Sequence, residues 1–493
     1  MKNINIKLSV IASLFLLASC GEDFLDEQPS EFLTQEQVGE AAAVNPAVIE
    51  GTISGIYSTM FATESGGTTN HDDFGHKGYD IYGDMLSGDM ALSVSTYGWY
   101  RADITEFQAT TDFTRTRNYM PWRFYYRIIR SANLVIDALG GNDVVPELEE
   151  NRYLMGQAKT LRAHAYFYLT QYYANSYDPS AEILPIYDSP DDLNGPKVTT
   201  AEIYALMEKD LNESISLLDG FARSSKSQVD KTVSQAILAY VLASKGDSHQ
   251  EVMDLTAAVI NSGGYTLMNS EEVLAGFNDL NTSGWIWGVD LTVDNGLGLV
   301  SWWGQMDRFT YSYAWAGDAK AIDSDLYDAI PEDDVRKQQF AAPEGAYADL
   351  MPLNKFYHPD RVIGGQANIT TDYLYLRVAE MYLLHAEAAA KAGQTGAAQT
   401  MLKVLLDERV PSSAYVDGLS GQALLDEIYL QTRIELWGEG KSYLSLKRNQ
   451  GTVVRGANHL SNVGTAIPYD DERLTFEIPQ LEIQNNPFIS TQN

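Results

Sequence analysis

Leu374–Gly393 reads LYLRVAEMYLLHAEAAAKAG. Leu376, Ala379, Leu383, Ala386 and Ala390 recur at steps of three and four, the spacing that aligns side chains along one face of an α-helix. The alanines let a neighbouring helix approach closely, and Gly393 supplies the usual stop just past a helix C-terminus. The same pattern recurs upstream. GQAKTLRAHAYFYLTQYYA (156–174) sets Ala158, Leu161, Ala165, Tyr168 and Tyr172 on one stripe. TTAEIYALMEKDLNESISLL (199–218) has Thr200 as its expected N-cap, with Ile203, Leu206, Leu211, Ile215 and Leu218 as its apolar face. VSQAILAYVLASKGD (233–247) and HQEVMDLTAAVINSGGYTL (249–267) follow, the latter stopping at Gly263 and Gly264.

Helix pairs of this length suggest stacked tetratricopeptide-like units, although no fixed period of ~34 residues is visible. The predicted fold is mainly α, one scaffold of helical repeats, with residues 281–370 laid over it as loops and short strands. That interval is rich in Gly, Asp and aromatic residues and lacks helical periodicity. No Pro- or Ser-rich linker divides the chain, so residues 41–493 read as a single unit with parts at 41–280, 281–370 and 371–493.

The N-terminus carries Lys2 and Lys7 and then an apolar run from about Leu8 to Ala18, the charged region and short hydrophobic region of a secretory signal. It ends in Leu17-Ala18-Ser19-Cys20, which resembles a bacterial lipobox. Residues 1–19 are therefore expected to be removed, Cys20 to carry lipid, and 20–40 to form a tether. One acyl chain alone binds a bilayer only marginally, whereas several anchor stably. Cys20 is the only cysteine, so no disulfide forms within the chain. The formal net charge of −33 repels nucleic acid and anionic headgroups, which argues against a nucleic-acid partner.

Five of the eight tryptophans fall within 284–315. GWIWGVDLTV (284–293) reads as a strand, with at least one of Trp285 and Trp287 expected in the core. SWWGQMDRFTYSYAW (301–315) has no consistent period and mixes Gln305, Asp307 and Arg308 among its rings. In an extended backbone successive side chains face opposite ways, so one of Trp302 and Trp303 is expected to be exposed or in a cleft. Trp302, Trp303, Tyr311, Tyr313 and Trp315 are the first candidates for a ligand platform. A pyranose stacks its C–H-rich face on such rings, while planar polar side chains at the rim fix its hydroxyls. The second candidate cluster lies in HDDFGHKGYDIYGDMLSGDMALSVSTYGWYR (71–101): Asp72, Asp73, Tyr79, Trp99, Tyr100 and Arg101, among glycines that favour loops.

No catalytic motif stands out. Neighbouring acids such as Asp333 and Asp334 are expected by chance among 67 carboxylates, and this pair is read as capping a helix or pairing with Arg336. The seven histidines show no zinc-binding spacing, and no nucleophile elbow or phosphate-binding loop is present. No cofactor is expected. A structural calcium on an Asp-rich loop such as VDNG (293–296) would lack an EF-hand pattern.

Taken together, CGEDFLDEQP (20–29), LRAHAYFYLTQYYA (161–174), LYDAIPEDDVRK (326–337), YLRVAEMYLLHAEAAAKAG (375–393), RIELWGEGKSYLSLKR (433–448) and FEIPQLEIQNNP (476–487) resemble, in order, motifs of the SusD/RagB family of Bacteroidetes outer-membrane lipoproteins. The resemblance implies a helical fold with tetratricopeptide-like units and no covalent chemistry. It also implies a role in capturing an oligosaccharide and loading it into a SusC-like TonB-dependent outer-membrane transporter. The acidic residues after Cys20 resemble signals that send such lipoproteins to the outer face. Lys441 and Ser445 stand where the family usually has arginine and aspartate, which bears on one buried ion pair. Two other roles fit a surface lipoprotein: a glycoside hydrolase or lyase, and a transporter lid for peptides.

Overall fold

The structure, a computed structural model, describes residues 35–42 and 44–493. The signal segment 1–19, Cys20 and most of the expected tether lie outside these residues. The longer helices are α1 (Gln35–Ala42), α2 (Ala47–Thr59), α3 (His76–Leu86), α4 (Thr116–Ala138), α5 (Glu149–Tyr173), α6 (Thr200–Leu217), α7 (Lys231–Lys245), α8 (His249–Ile260), α9 (Val378–Lys391), α10 (Thr395–Leu406), α11 (Gly421–Glu435), α12 (Ser442–Arg448) and α13 (Gln480–Asn485). From α4 to α10 each packs on the next, and α11 returns onto α9. The strands are short and join in antiparallel pairs: β1 (Met90–Leu92) with β5 (Lys320–Ile322), β2 (Glu182–Leu184) with β3 (Val198–Thr199), β4 (Trp285–Val289) with β6 (Tyr373–Arg377), and β7 (Thr452–Val454) with β8 (Ala466–Pro468). The mainly α scaffold expected from periodicity is the observed one.

α5 is the centre of the packing. Its expected stripe is buried, but so are nearly all residues from Leu154 to Tyr173. Helices covering every side require its polar groups to find partners. Arg162 donates twice to Asp210, at 2.7 Å each, and Thr160 shares hydroxyl contacts with Ser214 and Ser234.

Three local expectations are corrected. The cap of α6 is Thr199, one residue before the expected Thr200: Thr199 Oγ1 accepts from Glu202 N while the Glu202 carboxylate accepts from Thr199 N. This reciprocal capping box satisfies two orphan donors, which Thr200 could not do from inside the helix. The helix expected from Leu374 begins at Val378, because Tyr373–Arg377 pair with Trp285–Val289 as β6. The glycine-rich segment 71–101, read as loop, contains α3, buried along its entire length. Its glycines serve close approach there rather than loop freedom: a Cβ at Gly83 would lie 3.1 Å from that of Tyr443 on α12.

The reading of Asp334 holds. It caps the turn Val335–Gln339 by accepting from Arg336 N, and its carboxylate pairs with the Arg336 guanidinium at 2.6 Å. This pair belongs to a fully buried network around Glu435, whose carboxylate accepts from Arg336, Arg377 and Arg409, with Glu439 and Lys355 beside it. The VDNG stretch forms a turn in which Asn295 Oδ1 accepts from Thr292 N and Oγ1.

Candidate functional site

The β1–β5 pair brings together the two aromatic segments that lie more than two hundred residues apart. Leu92 stands opposite Lys320, and the ladder continues as Ser93 N donates to Ala319 O and Thr96 N to Gly317 O. Asp318 Oδ1 then accepts from Thr96 N at 2.6 Å and Tyr97 N at 2.9 Å, which fixes the 93–99 loop beside 311–317. Gly317 sits at φ +140°, and a Cβ there would meet Thr96 Oγ1 at 2.4 Å and its Cβ at 2.7 Å. Gly317→Ala should therefore cost about 1–3 kcal/mol and part the two loops without touching a ring. Thermal unfolding and saccharide titration of the variant check this; a melting temperature equal to the native one would show that the junction does not hold the loops.

The face so assembled carries rings at two levels. Tyr97 is 56 %, Tyr311 50 %, Tyr347 42 % and Trp315 41 % exposed. Beneath them Tyr313 is buried and meets Tyr97 edge-on at 5.2 Å and Trp99 at 5.8 Å. Trp99 is half-buried, stacked on His71 at 5.3 Å and covered by the Arg117 guanidinium at 5.5 Å. Tyr311 and Trp315 lie 5.8 Å apart, and Tyr347 is pinned by its hydroxyl, which donates to Ala314 O at 2.6 Å. Ser312 caps the single turn Tyr313–Ala316 that aims Trp315 outward.

Buried polar groups support the rings from below. Asp307 accepts from Phe309 N, Thr310 Oγ1 and His358 N; burial pushes its carboxyl up, these hydrogen bonds oppose the rise, and the balance is about 6. Lys320, pushed down to about 7 by burial, donates to Gln305 Oε1 at 2.7 Å, and Gln305 donates on to His71 O at 2.8 Å. His71 Nδ1 and Tyr313 OH are 2.5 Å apart, so the chain of contacts ends at the platform.

The expected site residues divide accordingly. Tyr311, Trp315 and Trp99 reach the face, and Tyr313 forms its floor. Trp302 and Trp303 are both buried, contrary to the expectation that one is exposed or in a cleft. The backbone at Trp302 is helical and Trp303–Met306 forms a turn, so the alternation of an extended chain does not apply. This turn is tied to β6 and its approach: Trp302 N donates to Tyr373 OH, and Trp303 Nε1 donates to Asp372 O. Asp72, Asp73, Tyr79 and Tyr100 are buried as well. Asp72 accepts from Arg117 and Tyr82, and Asp73 from Gly66 N, Thr68 N and Thr68 Oγ1, so both hold loops in place rather than meet a ligand. Arg101 is exposed and paired with Glu106 at 3.2 Å. Tyr97 and Tyr347 were absent from the sequence candidates. Tyr97 lies two residues before Trp99 in a segment already singled out; Tyr347 lies in the PEGAYADL loop, where no local pattern marks it.

Residues 23–245 match a family model described as starch-binding associating with outer membrane, and residues 335–493 match the model of the SusD family. The chain belongs to the SusD/RagB family. A SusD-like carbohydrate binding protein from Bacteroides vulgatus ATCC 8482 is 26 % identical, with a TM-score of 0.75 over 90 % of this chain and 97 % of that one. A SusD superfamily protein from Bacteroides thetaiotaomicron VPI-5482, 24 % identical, shares the fold with a TM-score of 0.73 over 94 % of this chain and all of its own. SusD-like protein P25 of Formosa agariphila is 26 % identical over 173 residues, so the match spans 34 % of this chain and 30 % of that relative. At the two positions that depart from the family pattern, Lys441 keeps a buried pairing, 3.9 Å from Glu380, and Ser445 Oγ accepts from Asn449. SusD-family proteins associate with the outer membrane, and among the described residues no helix is long and apolar enough to cross a membrane.

Proposed function

We propose that this SusD-family protein is a lipid-anchored surface protein that captures an oligosaccharide and delivers it to a SusC-like TonB-dependent transporter. The observation that carries the reading is the face of exposed rings formed by Tyr97, Tyr311, Trp315 and Tyr347 over Trp99 and Tyr313. Exposed aromatic faces held by buried hydrogen bonds suit pyranose stacking, in which apolar area is buried while the hydroxyls keep their partners. The carboxylates beneath the face are committed to structure, Asp307 and Asp318 to backbone N–H groups and Asp72 to Arg117, which favours binding over hydrolysis. Anchoring would come from lipid on Cys20.

The test is calorimetric titration of the soluble form beginning at Gly21 against a panel of purified neutral oligosaccharides, together with co-purification with the transporter. Heat with one saccharide class, and no product released on long incubation, supports the reading. Product release would make the protein a hydrolase or lyase. Association with the transporter but no heat from any saccharide would favour a lid for peptides.

A further inference from the structure

α4 carries a second feature that the aromatic face does not use. Arg123, Arg127 and Arg130 follow one another at steps of four and three, which puts them on one face of the helix, and all three are exposed. Among the described residues none of these guanidinium groups has an ion-pair or hydrogen-bond partner. Many arginines elsewhere are engaged: Arg117 by Asp72, Arg162 by Asp210, Arg377 by Glu435 and Glu439, Arg448 by Glu387. Three free guanidinium groups in a row are conspicuous in a chain of net charge −33.

The stripe lines a cavity of about 430 Å³ between α4, the segment around Tyr187–Asn194 and α13. That volume lies within the ~300–1,000 Å³ usual for ligand sites. Its floor is aromatic: Tyr126 and Tyr187, both partly exposed, meet at 5.5 Å, and buried Trp122 backs Tyr126 at 4.9 Å. Leu193, 85 % exposed, stands at the rim. Two acids also line the cavity, but both are tied to their own segments. Asp192 accepts from Asp188 N and Ser189 N at 3.0 Å each, and Glu482 accepts from Asn486 Nδ2 at 2.8 Å.

We propose that this groove is a second saccharide site, selective for acidic oligosaccharides, in which the Arg123–Arg127–Arg130 stripe holds a carboxylate or sulfate group while a sugar ring lies against Tyr126 and Tyr187. Guanidinium forks match both anions by paired, charge-assisted hydrogen bonds. The concave aromatic floor fits a sugar ring better than a protein surface, which needs a broader contact. The premise that the ligand is a saccharide is shared with the proposed function, but the residues are not. Arg117, over Trp99, and Arg123, the nearest of the stripe, are six positions apart on α4, or roughly 9 Å along the axis and about 120° around it, so they lie on different faces of the helix.

The experiment titrates the soluble protein with tetragalacturonate, with sucrose octasulfate, with neutral maltoheptaose and with inorganic sulfate, at low and at physiological salt. The variants are the triple Arg123→Gln/Arg127→Gln/Arg130→Gln, whose side chains are exposed and leave the core untouched, and Trp315→Ala. At least one acidic saccharide should bind, more weakly as salt rises, and lose about tenfold or more in affinity in the triple variant. Trp315→Ala should leave that binding within about twofold. Unchanged acidic binding in the triple variant, loss of it in Trp315→Ala instead, no heat from either acidic probe, or equal affinity for inorganic sulfate would each overturn the proposal. So would a triple variant that binds the acidic probes normally but no longer associates with the transporter, since the stripe would then be a protein contact. Failure of the proposed function shows differently, as a neutral panel without heat and an inert Trp315→Ala, and leaves the acidic readout intact.

Discussion

Glu435→Gln should destabilise the protein by about 3–5 kcal/mol, read as a lower denaturant midpoint at unchanged slope. The Glu435 carboxylate accepts from Arg377 Nη1 at 2.7 Å, from Arg409 Nε and Nη2 at 2.9 Å, and from Arg336 Nη1 at 3.2 Å. All four side chains are buried. Arg336 retains Asp334 and Arg377 retains Glu439, but Arg409 has no other carboxylate in the network, so its charge would be left buried and unopposed. An amide keeps the volume and removes only the charge, which separates this effect from a cavity. Burial by itself pushes the Glu435 carboxyl up, but Arg409 and Arg377 outweigh it and hold it well below the usual range; Glu439 and Glu387 are lowered in the same way. A carboxyl depressed on folding contributes stability that is present above its unfolded value, about 4.5, and is lost as pH falls through the folded one. Asp307 and Asp372, each raised to about 6 chiefly by burial, act in the opposite sense, their contribution being lost as pH rises through that value. Stability should therefore fall steeply below about pH 4.5, and the fall should be shallower in Glu435→Gln. A pH profile identical to that of the native protein would mean that the network is not what acid disrupts.

The helices of the scaffold were legible because each writes its period into a local stretch: the stripes of α5 and α9 lie where spacing put them, and Asp334 was read correctly from three neighbouring residues. What escaped the sequence was whatever depends on a distant partner. Leu374 and Leu376 fit a helix equally well until β4 claims them as strand. Gly83 looks like a loop glycine until α12 is seen against α3. The aromatic face was half legible. The segments 71–101 and 301–315 are marked by composition, but the one that carries Tyr347 is not, and the ladder that joins the first two pairs residues 90–92 with 320–322, a pairing that nothing local announces. Trp302 and Trp303 were misplaced by a correct rule applied to the wrong backbone, since alternation holds for strands and the chain there turns as a helix. Asp72 and Asp73 stand out in sequence for their charge, yet as buried carboxylates they anchor the 66–73 segment and hold Arg117, which covers Trp99.

Trp315→Ala and Trp302→Ala should separate binding from folding. Trp315 is 41 % exposed, its ring touching Tyr311 and its turn held by Ser312 rather than by the indole itself. Removing that ring should leave stability within about 0.5 kcal/mol, as for most surface changes. It should also cost about 1–3 kcal/mol of saccharide affinity, the scale of a lost stacking partner, where each 1.4 kcal/mol is about tenfold in Kd. Trp302 is buried between Trp303 at 5.1 Å and Phe356 at 4.7 Å, with the Lys77 ammonium 5.3 Å above its ring. Truncating it empties a packed site and should cost about 3–5 kcal/mol of stability. Calorimetry and denaturant unfolding on both variants read the two effects independently. Equal loss of stability in the two would show that Trp315 is structural, and undiminished saccharide affinity in Trp315→Ala would remove the ring platform as the site. A weakened, still saturable titration in Trp315→Phe would add that ring area, more than the indole N–H, is what the sugar meets, because phenylalanine keeps a stacking face and loses the donor.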